Sequence, residues 1–211
     1  YAFQDGKATI AFLQSKGHSL KTIEDVGISS MLSGTYYDKN QGRAMFPICD
    51  YEGNVIGFSA RRIRDTDEAK YINSPETYLF LKSSILYNYH IAKEKARLSG
   101  YVYVCEGFMD VFALGRIGID SAVAIMGTAL TNDHIDLLRK LNCEIRLCLD
   151  GDLPGQTAAM TASKQLQNAG LKVMIVDNQN NKRDPDEILN EDGPEELKKY
   201  LEPLNLNYKD E

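Results

Sequence analysis

Two stretches decide how this chain is read: Tyr101-Val-Tyr-Val-Cys105 followed by Glu106-Gly-Phe-Met-Asp110, and Ile145-Arg-Leu-Cys-Leu149 followed by Asp150-Gly-Asp152-Leu-Pro-Gly155. Each is a short apolar run that ends on acid, turns on glycine and opens into a helical pattern. In a parallel α/β sheet ligands bind at the carboxyl ends of strands, and both acidic loops are expected at such ends. A helix starting at Gly107 or Phe108 sets Glu106 and Asp110 on one side of its first turn. Gly151 lets Asp150 and Asp152 converge from a tight turn. Aspartate and glycine also serve as ordinary turn and cap residues, so a single loop of this kind would say little. The pair says more. Carboxylates pushed together repel, and without a cation some must take up protons. A hard divalent ion such as Mg²⁺ or Mn²⁺, which prefers oxygen ligands, removes that cost.

Working outward, 211 residues with 43% hydrophobic content predict a folded chain of one large or two small domains. No apolar run approaches the ~20 residues of a membrane span, and no signal peptide opens the chain. Tyr1 in place of a methionine predicts that the natural start lies upstream. Cys49, Cys105, Cys143 and Cys148 form no C-x-x-C pair, and with only three histidines they are expected as reduced thiols, mostly buried, and not as zinc ligands. A cytoplasmic setting follows from that usage. The net charge of −6 is uneven: residues 42–100 carry nine basic and seven acidic side chains, whereas residues 101–211 carry eleven and nineteen. The acidic excess therefore belongs to the half with the carboxylate loops, and the earlier half remains able to bind nucleic acid through a local basic patch.

In chain order, Thr9–Lys16 and a run from Ser19 or Leu20 to Asp25 read as two helices stopped by Gly17 and Gly27. Arg43–Cys49 and Val55–Arg61 read as a β-hairpin around the Asp50–Asn54 turn. An acidic loop then leads to Lys70-Tyr-Ile-Asn-Ser-Pro-Glu-Thr77, which Pro75 keeps extended. Basic and aromatic side chains interleave over residues 61–82, a pattern that holds phosphates and stacks bases but that also describes a plain solvated surface. From Asn88 the chain alternates helix and strand: helices at Asn88–Leu98, Val111–Ile117, Asn132–Leu141 (capped by Thr131) and Ala158–Ala169, and strands at Ala122–Met126 and Leu171–Val176. This β-α-β alternation predicts a mostly parallel sheet with right-handed crossovers. Asp184-Pro-Asp186-Glu187 is either a third acidic contribution to the site or the cap of a short helix at Asp186–Asn190.

A series of phrases resembles the catalytic domain of DnaG-type bacterial primases: Arg43-Ala-Met-Phe-Pro-Ile, Gly57-Phe-Ser-Ala-Arg61, Lys70-Tyr-Ile-Asn-Ser-Pro-Glu-Thr77, Leu86-Tyr-Asn, Glu106-Gly-Phe-Met-Asp110-Val, Met126-Gly-Thr-Ala-Leu-Thr131, Asp150-Gly-Asp152 and Asp184-Pro-Asp186-Glu187. The acidic loops alone are those of the wider Toprim group; the K-Y-x-N-S-P-E-T phrase is what topoisomerases and Toprim nucleases lack. The family usually shows alanine where Pro154 stands and tyrosine where Phe108 stands, and neither departure alters a charge.

The resemblance implies an α/β fold: a Toprim-type, mostly parallel sheet with flanking helices, preceded by a smaller α+β subdomain. Its boundaries are expected as a helical lead-in at 1–41, a basic subdomain at 42–100, the Toprim domain at 101–190 and a tail at 191–211. It implies a DNA-directed RNA polymerase that makes primers, here a catalytic-core fragment using Mg²⁺ or Mn²⁺, with no zinc in this portion. Asp150 and Asp152 are the leading ligands, then Asp110, Asp184 and Asp186. Glu106 is either a ligand or the group that orients or deprotonates the attacking hydroxyl. Arg43, Arg61, Lys70 and Lys82 would hold phosphates, with Tyr71 and Asn73 supporting the nucleotide. Implied partners are single-stranded DNA template, ribonucleoside triphosphates, the RNA–DNA hybrid and, through an absent C-terminal domain, the replicative helicase; a monomer is expected. Two other readings stay open: another Toprim nuclease or topoisomerase-like module, and a non-catalytic nucleic-acid-binding relative.

Overall fold

The computed structural model describes residues 1–64, 69–176 and 182–202. The acidic loop expected ahead of Lys70, at 65–68, and the end of the tail at 203–211 lie outside the described residues. The chain divides into two units, residues 1–81 and 82–211.

The first unit opens with α1 (Ala8–Ser15) and α2 (Leu20–Asp25), the latter capped by the Ser19 hydroxyl, which accepts from the Thr22 amide. A hairpin of β1 (Ser29–Leu32) and β2 (Thr35–Asp38) follows, in a stretch where sequence pattern predicted no strand. These strands are short, and their buried ends are the polar Ser29 and Asp38, so they carry almost none of the apolar alternation that marks a strand. The main sheet of this unit is antiparallel in the order β3 (Ala44–Cys49), β4 (Val55–Arg61), β5 (Tyr71–Asn73). Its turn is built by Asp50, whose Oδ1 accepts from the amides of Glu52 and Asn54, both at 2.9 Å. Phe80 is fully buried against Gly57, where a Cβ would stand 3.3 Å from the ring.

The second unit is the α/β body. After a 3₁₀ turn at Lys82–Ser84 come α3 (Tyr89–Ser99), β6 (Tyr101–Cys105), α4 (Phe108–Arg116), β7 (Ala122–Ala124), α5 (Asn132–Leu141), β8 (Glu144–Cys148), α6 (Leu153–Asn168), β9 (Val173–Ile175), α7 (Pro185–Glu191) and α8 (Pro194–Tyr200). The sheet order is β7-β6-β8-β9 and every pairing is parallel. Val102, Val104, Ile145 and Leu147 alternate onto the face that packs against residues of α3, α5 and α6, such as Ala92, Leu138 and Leu166. On the other face the Tyr103 hydroxyl donates to the Leu201 carbonyl at 3.1 Å. Arg146, a charge inside a strand, is kept there by Glu144 at 2.9 Å and by the Tyr101 ring, 3.9 Å from its guanidinium.

One helix starts well ahead of its expected position. Helix α6 begins at Leu153 and not at Ala158, because Asp152 caps it and Pro154 is tolerated in its first turn. Fully buried His134 is structural: its Nδ1 takes the Thr131 amide at 3.3 Å, so Nε2 carries the proton and donates to the Lys82 carbonyl at 3.0 Å. Among the described residues no helix is long and apolar enough to cross a membrane, and all four cysteines are free, Cys105 and Cys148 buried and Cys49 and Cys143 partly so.

Candidate active site

In the sheet order the chain leaves β6 for β7 on one side and returns to β8 on the other. The crevice between β6 and β8 is thus the topological switch point, where an open parallel sheet offers its carboxyl ends to a ligand. Both acidic loops start there. Cys105 and Cys148 are paired residues in the ladder, so Glu106 leaves one strand and Asp150 the other at nearly the same height.

Three aspartates are fixed by helix starts. Asp110 lies in the first turn of α4 and is only 3% exposed. Its Oδ2 accepts from the Gly107 amide at 3.0 Å and its Oδ1 from the Asp186 amide at 3.4 Å. Asp152 caps α6, taking the Gly155 amide at 2.8 Å, and Asp184 caps α7, taking the Glu187 amide at 2.7 Å. Asp184 therefore begins a helix and also joins the acidic group. The positive ends of three helices offset part of the crowded negative charge.

They do not offset all of it. Burial, and then the charge of Asp184, pushes the Asp110 carboxyl up to about 8. Burial, followed by Glu106, Asp184, Asp152 and Glu187, pushes Asp150 up to about 6. Glu187 belongs to this field although no role was expected for it beyond its motif. The donor set is all oxygen, which suits a hard divalent cation, and the raised carboxyls are what crowded ligands show when no cation balances them. Among the described residues no three such side chains converge on one point. The set fits an open site that shares its ion with water and substrate, as Mg²⁺ prefers, better than a closed cage.

The expected phosphate-binding residues fall mostly in the first unit. Tyr71 stands beside two cations, the Arg61 guanidinium 5.9 Å and the Lys70 ammonium 5.8 Å from its ring. Asn73 pairs with Ser59 across the sheet. Arg43 is buried at 4% exposure, its Nη1 donating to the Ala69 carbonyl at 2.8 Å, and it lines a cavity of about 310 Å³ with Lys39, Arg62 and Arg64. Lys82 is part-exposed and opens the second unit.

A parallel sheet with aspartate-rich loops on either side of its switch point defines a Toprim-type domain, and the family model described as "Toprim domain" matches residues 100–177. Residues 1–93 match the model described as "DNA primase catalytic core, N-terminal domain". The chain belongs to the DnaG-type DNA primase family. It is 34% identical over 202 residues to a DNA primase of Clostridium acetobutylicum, covering 96% of this chain and 33% of that protein. Among solved structures, the zinc-binding and RNA polymerase domains of the Aquifex aeolicus primase superpose with a TM-score of 0.83 at 35% identity, over 95% of this chain and 49% of that one. The RNA polymerase domain of Mycobacterium tuberculosis primase gives 0.80 at 32% identity, over 95% and 68%. A DnaG primase catalytic domain bound to single-stranded DNA gives 0.77 at 34% identity, over 90% and 63%. The chain thus spans about a third of the length of the curated relatives it matches.

Gly155 brings α6 against the Asp150 loop: a Cβ there would stand 2.8 Å from the Asp150 carbonyl carbon and closer still to its oxygen. Gly155→Ala should cost about 1–3 kcal/mol, read by urea unfolding, and should weaken Mn²⁺ binding in parallel. Wild-type Mn²⁺ affinity in this variant would show that the close approach of α6 to the Asp150 loop does not matter to the cation. Between the ordinary carboxylate range near 3.8 and the raised values of about 8 and about 6, the native state holds protons that the unfolded chain has released. Metal-free stability should therefore be greatest at low pH and decline as pH rises through about 6 and then about 8. Asp110→Asn should flatten the upper part of that decline, measured as melting temperature in chelator from pH 5 to 9. An unchanged slope in the variant would refute the assignment.

Proposed function

We propose that this chain is the catalytic core of a primase: a DNA-directed RNA polymerase that extends short RNA on single-stranded DNA in the cytoplasm. The observation that carries this reading is the union, in one chain, of the carboxylate group at the β6–β8 switch point with the primase-type N-terminal region. The solved relative bound to single-stranded DNA supports the template class.

In this reading a 3′-hydroxyl attacks the α-phosphate of an incoming ribonucleoside triphosphate and pyrophosphate leaves. Asp150 and Asp152, with help from Asp110, Asp184 and Asp186, would hold Mg²⁺ or Mn²⁺, which would supply positive charge for the attacking and leaving oxygens. Asp152 and Asp184 face that task already oriented, because each is pinned by a backbone amide. Asp110 must release any proton it holds before it can ligate. Glu106 either shares the ion or receives the hydroxyl proton. Arg61, Lys70 and Lys82 bind phosphate oxygens of template or triphosphate, and Tyr71, with cations beside its ring, gives a base a face to stack on. Arg43, tied to the Ala69 carbonyl, serves by shaping the basic cavity.

Labelled ribonucleotides, single-stranded DNA and Mg²⁺ or Mn²⁺ test the assignment directly. The chain should make short RNA, and Asp150→Asn with Asp152→Asn should lower the yield on the order of 100-fold or more while leaving the fold intact. Lys70→Ala and Lys82→Ala should reduce incorporation or template binding with Mn²⁺ affinity unchanged. Template binding should be weak, on the order of micromolar, and should fall as salt rises. Incorporation that survives loss of both aspartates would remove the active-site assignment, and wild-type template binding and incorporation in both lysine variants would remove the basic element.

A further inference from the structure

Helix α7 has seven residues, too few to be stable alone, so packing must set its pose. Its buried Ile188 and Leu189 anchor it, but apolar contact is non-directional and does not fix rotation or slide. Direction comes from two ties to α4, one near each end. At the leading end the Asp186 amide donates to Asp110 Oδ1 at 3.4 Å. At the trailing end Arg116 Nη1 donates to Asn190 Oδ1 at 3.0 Å. The anchors lie about 9 Å apart along α4 and about 6 Å apart along α7 by helical rise, so the two bonds together hold one register.

The Arg116 bond also decides what Asn190 does. An amide can present its oxygen or its nitrogen to a neighbour, but a guanidinium can only donate. Arg116 therefore claims the amide oxygen and turns the NH₂ group toward Asp186, where Nδ2 donates to Oδ1 at 3.0 Å. That bond occupies one oxygen of the Asp186 carboxylate and leaves the other for a cation. On the opposite flank Arg183, just ahead of the Asp184 cap, pairs with Glu191 at 2.9 Å and with Asp192, closing the short helix on itself.

We infer that Arg116 and Asn190 form a positioning pair that holds α7 in register on α4 and orients Asp186 as a cation ligand. The inference rests on reading the acidic group as a cation site, and it assigns a role to two exposed residues that neither touch substrate nor carry the chemistry. Carboxylates that bind metal usually depend on such hydrogen-bond partners, whose loss typically weakens binding about 10- to 100-fold.

The test is Mn²⁺ titration of the full chain followed by electron paramagnetic resonance, with melting temperature recorded alongside. Asn190→Ala should raise the half-saturating Mn²⁺ concentration about tenfold. Arg116→Ala should raise it by less, and Arg116→Lys, which keeps a donor, should recover most of the loss. The double variant should bind no worse than Asn190→Ala alone, because both changes break one chain of bonds. A general structural role would instead lower the melting temperature in step with affinity and give additive losses; that pattern, or unchanged affinity in Asn190→Ala, overturns the inference. Failure of the unaltered chain to bind Mn²⁺ at all would remove the cation reading itself, and the pair's role with it.

Discussion

Mutual repulsion among carboxylates is the constraint on which the second unit depends. Burial, and then the charges of Glu106, Asp184 and Asp152, push Asp150 up to about 6, and burial followed by Asp184 pushes Asp110 up to about 8. Left to themselves these groups would separate. Three of them are held by backbone amides, one at the start of each of three helices: Gly107 to Asp110, Gly155 to Asp152, and Glu187 to Asp184. A carboxylate bound to a helix N-terminus loses little by sitting there, because it satisfies a donor that would otherwise face water and meets the favourable end of the helix dipole. The same bonds that make these residues look like ordinary caps therefore keep them together as a site.

That double use resolves a choice that sequence reading leaves open. Asp184-Pro-Asp186 reads as a helix cap or as part of an acidic centre, and Asp184 both caps α7 and adds its charge to the field around Asp150. Asp152 is likewise a cap within the acidic group. Because asparagine caps a helix about as well as aspartate, Asp→Asn at these positions separates the two roles where Asp→Ala would confuse them.

The first unit contributes a different kind of surface. Cations gather around Tyr71 and around the cavity lined by Lys39, Arg43, Arg62 and Arg64, whereas acidic side chains outnumber basic ones in the second half of the sequence. A negatively charged polymer and a divalent cation need opposite surroundings, and a chain of net charge −6 can offer both only by segregating them. Arg43 is the residue whose part changes most between sequence and structure. Its motif suggests a phosphate ligand, yet its guanidinium is buried and spends a donor on the Ala69 carbonyl.

The sequence by itself determined the alternation of strand and helix from Asn88 onward, the turn chemistry at Asp50, the Thr131 cap and the family to which the chain belongs. These are written in local pattern, in apolar runs ending at glycine and in capping residues, and local pattern survives without knowledge of the fold. It could not show that β6 and β8 are neighbours with Cys105 opposite Cys148, since strand order depends on crossovers rather than on any one segment. Nor could it foresee the β1–β2 hairpin, which lacks apolar alternation, and it pointed to the early start of α6 only through Pro154, a residue that a first helical turn accepts. Only the tertiary structure decided that Asp110 is buried and carries a raised carboxyl. It alone placed Arg116 against Asn190, 74 residues away in sequence. Burial and long-range hydrogen bonds are properties of assembled elements, and no spacing along the chain encodes them.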